Sequence, residues 1–252
     1  MVDPFTADGV WLKCALHAHT TESDGDLPPA ALAAHYERAG YDVLAITDHW
    51  KIADAPATDR LVLLSGVELN CALPGARDGH GLGLGVRAEN EELRELAAGY
   101  GDLAATGEWI VARGGVAYLA HPYWTGATPG TLELPPSVTG IEVFNAGCEL
   151  EVGRGLSTVH WDELLEEGRL CPALATDDSH HPGFDSDWAW TWVRARERTA
   201  AAVLDALRAG SLYGSTGPTI RALVRDGDAF ELECSPCRSV TMVAGKTIGA
   251  AV

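Results

Sequence analysis

Histidines and carboxylates stand at the ends of apolar, strand-like segments through the first 181 residues of this chain. The segments that carry them are LHAH, ITDH, LSGVEL, GHGLGLG, YLAHP and ALATDDSH. Few chemistries need so many imidazoles at strand termini other than a multinuclear metal site. The candidate metal ligands are His17, His19, Asp24, His49, Glu68, His80, His121, Asp178 and His180.

The spacing within these segments favours shared ligation. His17 and His19 are two residues apart on a predicted strand, so their side chains leave the same face. Asp178 and His180 repeat this spacing at another strand end. Glu68 ends a row of alternate apolar positions, where a single carboxylate would be costly to bury. A bridge between two cations would explain its position.

The remaining histidines and two aspartates are assigned other roles. His35 and His160 lie in predicted helices and are interpreted as ordinary structural residues. His181 is either a surface neighbour of the preceding ligand or a group that faces the substrate. Asp48 and Asp177 each come directly before a proposed ligand, and we expect them to orient imidazoles from outside the ligand shell. Ser179 and Ser65 are interpreted as turn and packing residues.

Composition limits the possible partners. The 252-residue chain has a formal net charge of −18, with three lysines and fifteen arginines that form no evident basic face. An acidic chain repels extended nucleic acid at long range, although a nucleotide stays possible. No apolar run reaches the ~20 residues of a membrane helix, and no signal peptide is evident, so we expect a cytoplasmic protein without membrane contact. The six cysteines, including the Cys234–Cys237 pair, are expected to be reduced packing residues.

Strand-like and helix-like segments alternate up to about Pro218. The predicted strands are Val10–Leu16, Asp42–Thr47, Leu61–Leu69, Gly81–Val86, Val116–Ala120, Gly140–Phe144, Pro172–Ala175 and Trp188–Val193. The predicted helices are Pro28–Ala39, Glu91–Ala112 (either continuous or interrupted near Gly99–Gly101), Thr158–Glu167 and Thr199–Ala209. Alternation favours parallel strands with crossover helices, and ligands from many strands favour an α/β barrel whose strand ends meet at one mouth.

The end of the chain follows a different pattern. Ile220–Val224, Phe230–Cys234 and Val240–Val243 read as short antiparallel strands separated by turn residues. We therefore expect a metallohydrolase barrel over residues 1–217 and a small β element over residues 218–252, which could be incomplete.

Three tryptophans at alternate positions, Trp188, Trp190 and Trp192, are expected to share one face of a strand. They could stack on a substrate, but a buried interface between the barrel and the tail is the favoured interpretation.

The ordered set HxH, TDH, a central Glu and His, AHP and a late DxH resembles the PHP (polymerase and histidinol phosphatase) superfamily. IEVFN, WDELL, DDSH and ALRAGSLYGSTGP look like a stand-alone bacterial branch similar to carbamate-hydrolase-like metallohydrolases. The resemblance implies a distorted (β/α)7 barrel with a two- or three-metal centre. It places His17, His19, Glu68 and Asp178 on one ion, Glu68, His80 and His121 on a second, and Asp24, His49 and His180 on a third.

This ligand set predicts a phosphoesterase. Three divalent ions and three ligand carboxylates leave about +3 at the mouth, which can hold a small phosphorylated substrate. Metal-bound water, with its pKa lowered towards ~7, would attack phosphorus in line. The ions are expected to be zinc, manganese or iron. An ester, amide or carbamate hydrolase is the alternative, and a non-enzymatic metal-binding interaction module is the second. The oligomeric state stays open.

Residues beyond the ligands are candidates for substrate contact. Arg154, in the GRG loop, is a candidate phosphate clamp because guanidinium binds phosphate in a bidentate manner. His181 is the other candidate. Tyr123, Trp124 and Trp50 adjoin ligand motifs and either line a pocket or pack in the core.

Overall fold

The computed structural model of the chain describes residues 2–76, 78–99, 101–227, 229–246 and 248–252. Among these residues a nine-stranded sheet dominates. Its strands are β1 (Val10–Ala15), β2 (Val43–Ile46), β3 (Val62–Cys71), β4 (Gly79–Leu84), β5 (Val116–Ala120), β6 (Val138–Asn145), β7 (Ala173–Thr176), β8 (Trp190–Ala195) and β9 (Leu212–Ser215). None of the helices in this part of the chain has the length and apolar character needed to cross a bilayer.

The sheet is mixed, and the expectation of uniformly parallel strands is wrong in part. The strand order is β7-β6-β5-β4-β3-β2-β1-β8-β9. Strands β1, β2 and β3 pair in parallel, as do β5, β6 and β7, but β4 is antiparallel to both of its neighbours. The link between β3 and β4 is too short for a parallel crossover, which needs a dozen or more residues. Strand β4 therefore begins at the edge where β3 ends.

The two ends of the sheet meet through side-chain and backbone contacts between β7 and the β8–β9 pair. The Thr191 hydroxyl accepts from the Ala175 amide at 3.2 Å and donates to its carbonyl at 2.9 Å. Glycine at position 214 allows β9 to approach, since a Cβ there would lie 2.8 Å from the Cβ of Ala175. The predicted distorted, barrel-like α/β fold is confirmed, with antiparallel β8 and β9 on the closing side.

Helices cover the outside of the sheet. They are α1 (Pro29–Arg38), α2 (Asn90–Ala97), α3 (Leu103–Ala112), α4 (Pro122–Thr125), α5 (Ala146–Val152), α6 (Thr158–Glu166) and α7 (Ala200–Ala209). The helical segment predicted over 91–112, either continuous or interrupted near 99–101, is two helices, because Asp102 caps the second by accepting from the Ala105 amide at 2.9 Å. The short helices α4 and α5, which follow site-bearing strands, were not predicted.

Alternation within the strands separates an apolar interior from the site. Leu82 and Leu84 belong to a buried cluster that also takes Leu64, Tyr118 and Leu174 from other strands. His80 lies two residues before Leu82 on the same strand and therefore shares its face. The interior of the barrel is thus packed with apolar side chains, and the candidate ligands lie above this core at one end of it.

The C-terminal residues form two hairpins with largely exposed side chains. They pair β10 (Ile220–Asp226) with β11 (Ala229–Cys234) and β12 (Thr241–Val243) with β13 (Gly249–Ala251). The three short strands predicted here are confirmed, and β13 is an addition. The division of the chain at residues 217 and 218 stays a prediction.

Two tryptophans of the 188–192 segment lie away from the interface expected between the barrel and the tail. Trp190 packs instead against the apolar cluster that contains Leu32 and Tyr36 of α1. Trp188 is 53% exposed and donates its indole N–H to the Phe184 carbonyl at 2.8 Å.

Candidate metal centre

Four buried side chains converge at the end of β1, β3 and β7. The Nε2 atoms of His17 and His19 both lie 3.2 Å from Oε2 of Glu68. The same two atoms lie 3.2 Å and 3.1 Å from Oδ1 of Asp178. The two histidines therefore project to one point, as their spacing predicts.

This first donor set fits a cation. His17 Nε2, His19 Nε2 and Asp178 Oδ1 are buried and lack a hydrogen-bond partner among the described residues. A buried polar atom without a partner costs about 1–3 kcal/mol. One divalent ion would satisfy all three atoms, and imidazole and carboxylate are suitable ligands for zinc, manganese and iron.

A second donor set uses the other oxygen of the same carboxylate. Oε1 of Glu68 lies 2.8 Å from His80 Nδ1 and 3.1 Å from His121 Nε2. All three side chains are buried. Glu68 therefore presents one oxygen to each set, which is the arrangement that a bridging carboxylate needs.

A third donor set lies closer to solvent and comprises His19, Asp24, His49 and His180. Asp24 is its most exposed member, with 53% of its side chain accessible. Its oxygens lie 3.4 Å from His180 Nε2, 3.7 Å from His49 Nε2 and 3.5 Å from His19 Nδ1. The nine predicted ligands are thus brought together in three adjoining sets, with His19 shared between the first and the third.

Two of these residues have a backbone conformation that L-amino acids rarely adopt. His121 has φ 26° and Asp178 has φ 53°. Both lie one or two residues beyond a strand, where the chain turns away from the sheet. Such strain is commonly found at functional sites, where the surrounding structure holds it in place.

Glu142 was missed as a site residue, although it is the central acceptor behind the site. Its Oε1 lies 2.8 Å from His17 Nδ1 and accepts from the Thr176 hydroxyl at 2.8 Å. Its Oε2 accepts from the His121 amide and from the Asn145 side chain, both at 3.0 Å. An acid at an alternate position of the apolar strand VTGIEVFN was the signal available in the sequence.

Asp48 and Asp177 make no direct contact with an imidazole among the described residues; Asp48 reaches His19 only through the Ser23 hydroxyl, which lies 3.4 Å from His19 Nδ1. Asp48 instead accepts from the Thr20 amide at 2.7 Å and the Ser23 hydroxyl at 2.6 Å. Asp177 accepts from the three backbone amides of residues 187–189. Each carboxylate therefore holds a loop beside the site. These contacts are non-local or depend on the loop path, which residue spacing does not encode.

Asp185 performs a similar role for the loop that carries the last ligand. Its buried carboxylate accepts from the Ser179 hydroxyl at 2.7 Å and from the amides of His180 and His181, both at 2.8 Å. This one side chain therefore fixes the backbone from which the His180 imidazole extends.

The charges at the centre stabilise one another. Burial alone would raise the pKa of Glu68 and Asp178, but the surrounding imidazoles hold the pKa of both carboxyls well below its usual range. Burial alone would lower the pKa of His17, but Asp178, Glu142 and Glu68 raise it well above its ordinary value. At His180, burial lowers the pKa, but the hydrogen bond that the imidazole donates to Asp24 and the nearby Asp178 carboxylate outweigh it and raise the pKa to about 9.

An open cavity of 320 Å³ lies over the three sets. Besides ligands, its lining includes Trp124, Cys148, Glu151 and His181. His181 thus faces the space available to a substrate, and its Nδ1 lies 2.8 Å from Oδ2 of Asp26. No lysine or arginine is found among the described residues that line the cavity.

Other predicted contact residues lie elsewhere. The Arg154 guanidinium lies 5.5 Å from the centre of the Tyr123 ring, and both residues line a separate groove. The Trp50 indole donates to the Asn70 side chain at 2.7 Å and packs against an outer apolar cluster. Arg154 therefore lines this groove and not the cavity over the three donor sets.

The histidines and serines interpreted as structural have structural partners. His35 contacts the Ser186 hydroxyl at 2.9 Å, and the buried His160 donates from Nε2 to the Ala127 carbonyl at 2.8 Å. Ser65 donates to the Val86 carbonyl at 2.7 Å. Neither histidine is a member of the three donor sets.

Comparison with known proteins identifies the fold. No protein-family model matches the sequence. A two-domain protein from Bacteroides vulgatus that contains a predicted PHP-like metal-dependent phosphoesterase is similar in structure, with a TM-score of 0.63 and 17% identity over 98% of this chain and 85% of that chain. PsfC from Pseudomonas syringae is similar with a TM-score of 0.57 and 15% identity, over 82% of this chain and 92% of that one.

One curated relative is similar in sequence over a shorter region. The 5'-3' exoribonuclease Rnm of Salmonella typhimurium is 34% identical over 91 residues, which is 33% of this chain. The match spans 31% of the length of the exoribonuclease. The structural similarities confirm the distorted barrel fold that the sequence motifs imply.

Proposed function

We propose that this chain, which has the fold of PHP-like metal-dependent phosphoesterases, is itself a metal-dependent phosphoesterase. The observation that carries the proposal is the buried Glu68, whose two oxygens face two different sets of imidazoles. A carboxylate in this position could be shared by two adjoining divalent ions, and such pairs of ions support hydrolysis.

The proposed ligands follow the three donor sets. The first ion is held by His17, His19, Glu68 and Asp178, the second by Glu68, His80 and His121, and the third by Asp24, His49 and His180. Zinc, manganese and iron are the proposed metals, because imidazole-rich sites suit them. When bound, such ions lower the pKa of a coordinated water and withdraw charge from the phosphoryl oxygens.

The residues around the ligands hold the imidazoles in position and shield one side of the cavity from solvent. Glu142 orients His17, and Asp185 holds the backbone of His180, so the imidazoles need little reorganisation before reaction. Trp124 packs beside His80 and His121, with ring centres 5.8 Å and 5.0 Å away, and walls one side of the cavity. His181, oriented by Asp26, is placed to contact the leaving group.

A small phosphate ester is the proposed substrate. The cavity of 320 Å³ is at the lower end of the ~300–1,000 Å³ typical of small-molecule sites. Its described lining offers no lysine or arginine for a long phosphate backbone. A nucleotide or the end of a nucleic acid is the second candidate, because the sequence relative is an exoribonuclease.

The free buried cysteines support a reducing compartment such as the cytoplasm.

The test compares substrate classes on protein reconstituted with zinc, manganese or iron(II). We expect turnover of aryl phosphates and little turnover of aryl esters or carbamates. His17→Ala should lose both bound metal and turnover while its circular dichroism stays native. His35→Gln, which changes an imidazole outside the donor sets, is the matched control and should retain both.

The opposite pattern would refute the proposal. Turnover of carbonyl substrates alone would make the chain an ester, amide or carbamate hydrolase. A metal-replete protein that turned over no candidate but bound another chain stoichiometrically would be an interaction module.

A further inference from the structure

Cys148 lies at the metal centre without an assigned role. It belongs to α5, and its amide donates to the Asn145 side chain at 2.9 Å. The same Asn145 donates to Oδ2 of Asp178 at 3.0 Å, so one residue positions both the cysteine and a proposed ligand. Cys148 is only 4% exposed and lines the cavity.

The sulfur of Cys148 is grouped with two of the candidate ligands. Ligand atoms of His121, Cys148 and Asp178 all lie within 4.8 Å of one another. His121 Nδ1 is a buried atom without a hydrogen-bond partner among the described residues, and the second set uses the other ring nitrogen, Nε2. This fourth set shares His121 with the second set and Asp178 with the first.

The environment of Cys148 differs from that of the other buried cysteines. Cys14 lies in the apolar cluster of the barrel interior, and Cys71 and Cys171 lie in an outer apolar cluster. Cys148 is in neither cluster and is surrounded by ligand residues instead. Packing as a small apolar group, which explains the other three thiols, does not explain this one.

We propose that His121, Cys148 and Asp178 form a nitrogen, sulfur and oxygen site for a thiophilic divalent cation of the zinc and cobalt class. The inference rests on the proposed metal centre, but it does not depend on the substrate. Thiolate is a soft ligand that favours zinc over magnesium, calcium or manganese. On binding, a metal–sulfur bond forms and the thiol proton passes to solvent. One thiolate and one carboxylate then neutralise one divalent ion, which suits a buried position.

Cobalt(II) titration tests this proposal because a cobalt–thiolate bond gives a charge-transfer band in the near ultraviolet. The half-buried Cys234 and the exposed Cys237, whose sulfurs lie 3.8 Å apart, could also bind cobalt. The experiment therefore uses Cys234→Ser/Cys237→Ser protein as its background. We expect the band in this background, its loss on adding Cys148→Ser, and its retention on adding Cys171→Ser as the matched control.

A missing band in the background protein, or a band that survives Cys148→Ser, would overturn the proposal. X-ray absorption of the zinc-loaded background protein provides a second measurement that does not depend on a Cys148 variant folding. A sulfur neighbour at about 2.3 Å from zinc is expected, and a shell of nitrogen and oxygen alone would refute the site. Both measurements are made without substrate, so failure to hydrolyse phosphate esters would leave them unaffected.

Discussion

His17 Nδ1 and Oε1 of Glu142 lie 2.8 Å apart in a fully buried pair. The contact holds the opposite ring nitrogen, Nε2, towards Glu68 and Asp178. Because Glu142 also accepts from the His121 amide, it connects the first donor set to the second. A carboxylate behind an imidazole ligand fixes the ring orientation and raises its basicity.

Replacement of this acceptor should weaken the first site. Glu142→Gln presents an amide N–H to a group of donors, so we expect metal affinity of the first site to fall by about 10–100-fold. The free energy of unfolding should fall by about 1–3 kcal/mol, since buried donors lose a partner. Metal titration and chemical denaturation measure the two effects. Glu133→Gln, at an exposed position, should change neither; unchanged affinity in Glu142→Gln would contradict the assigned role.

Asp185 offers a selective perturbation of the third site. Asp185→Asn should loosen the backbone at His180 while leaving His17 and Glu68 in place. We expect about 10-fold weaker binding of the most exposed ion, with the first two retained. Metal analysis after dialysis against graded chelator concentrations would detect this loss. A simultaneous loss of all ions would mean that Asp185 supports the whole mouth and not one loop.

The metal-stripped protein should lose stability as pH rises from neutral to alkaline values. The pKa of His180 is about 9 in the folded protein, above the ordinary histidine value of about 6.5. The stabilisation is therefore fully present below pH ~6.5 and is lost as pH rises through ~9. Since Asp24 is half-exposed, we expect its pair with His180 to contribute only about 1 kcal/mol to the free energy of unfolding. The free energy of unfolding in urea, measured below pH ~6.5 and above pH ~9, should change less for His180→Gln than for the unchanged chain. An equal change in the two proteins would count against the pairing of His180 with Asp24.

Metal loading should respond to pH in the opposite sense. Ligand imidazoles bind metal only when neutral, so affinity should rise as pH rises through the histidine range. The raised pKa of His17, His19 and His80 means that loading near neutral pH releases protons. Calorimetry in buffers of different ionisation enthalpy counts these protons. The absence of proton release would show that the imidazoles are already neutral before metal binds.

The apolar interior should contribute to the stability of the fold without affecting how much metal the protein binds. Leu82 is fully buried in the barrel cluster, two residues from His80. Leu82→Ala should lower the free energy of unfolding by about 2–5 kcal/mol through lost burial and the cavity left behind. Leu170→Ala, at a position 67% exposed, is the control and should change little. Metal stoichiometry of folded Leu82→Ala should be unchanged, and its loss would show that the core and the site are coupled.

Local spacing was enough to predict which side chains come together at the candidate metal centre. An HxH pair on a strand sends both imidazoles to one side, and His17 and His19 do converge on the same two carboxylate oxygens. Apolar runs likewise predicted most strands of the barrel. Backbone geometry determines these features over a few residues, so they can be inferred without knowing the partners.

The amino-acid sequence by itself determined which side chains could bind metal and that they lie at the ends of barrel strands. Only the tertiary structure decided that β4 runs antiparallel, so that His80 enters from the start of its strand. It also placed Glu142 behind His17, Cys148 beside His121, and Arg154 on Tyr123 instead of in the cavity. These relationships join residues far apart in the chain, and their distances depend on how the strands pack together. Residue spacing specifies the direction in which a side chain leaves its own strand, but closure of the sheet selects its partners.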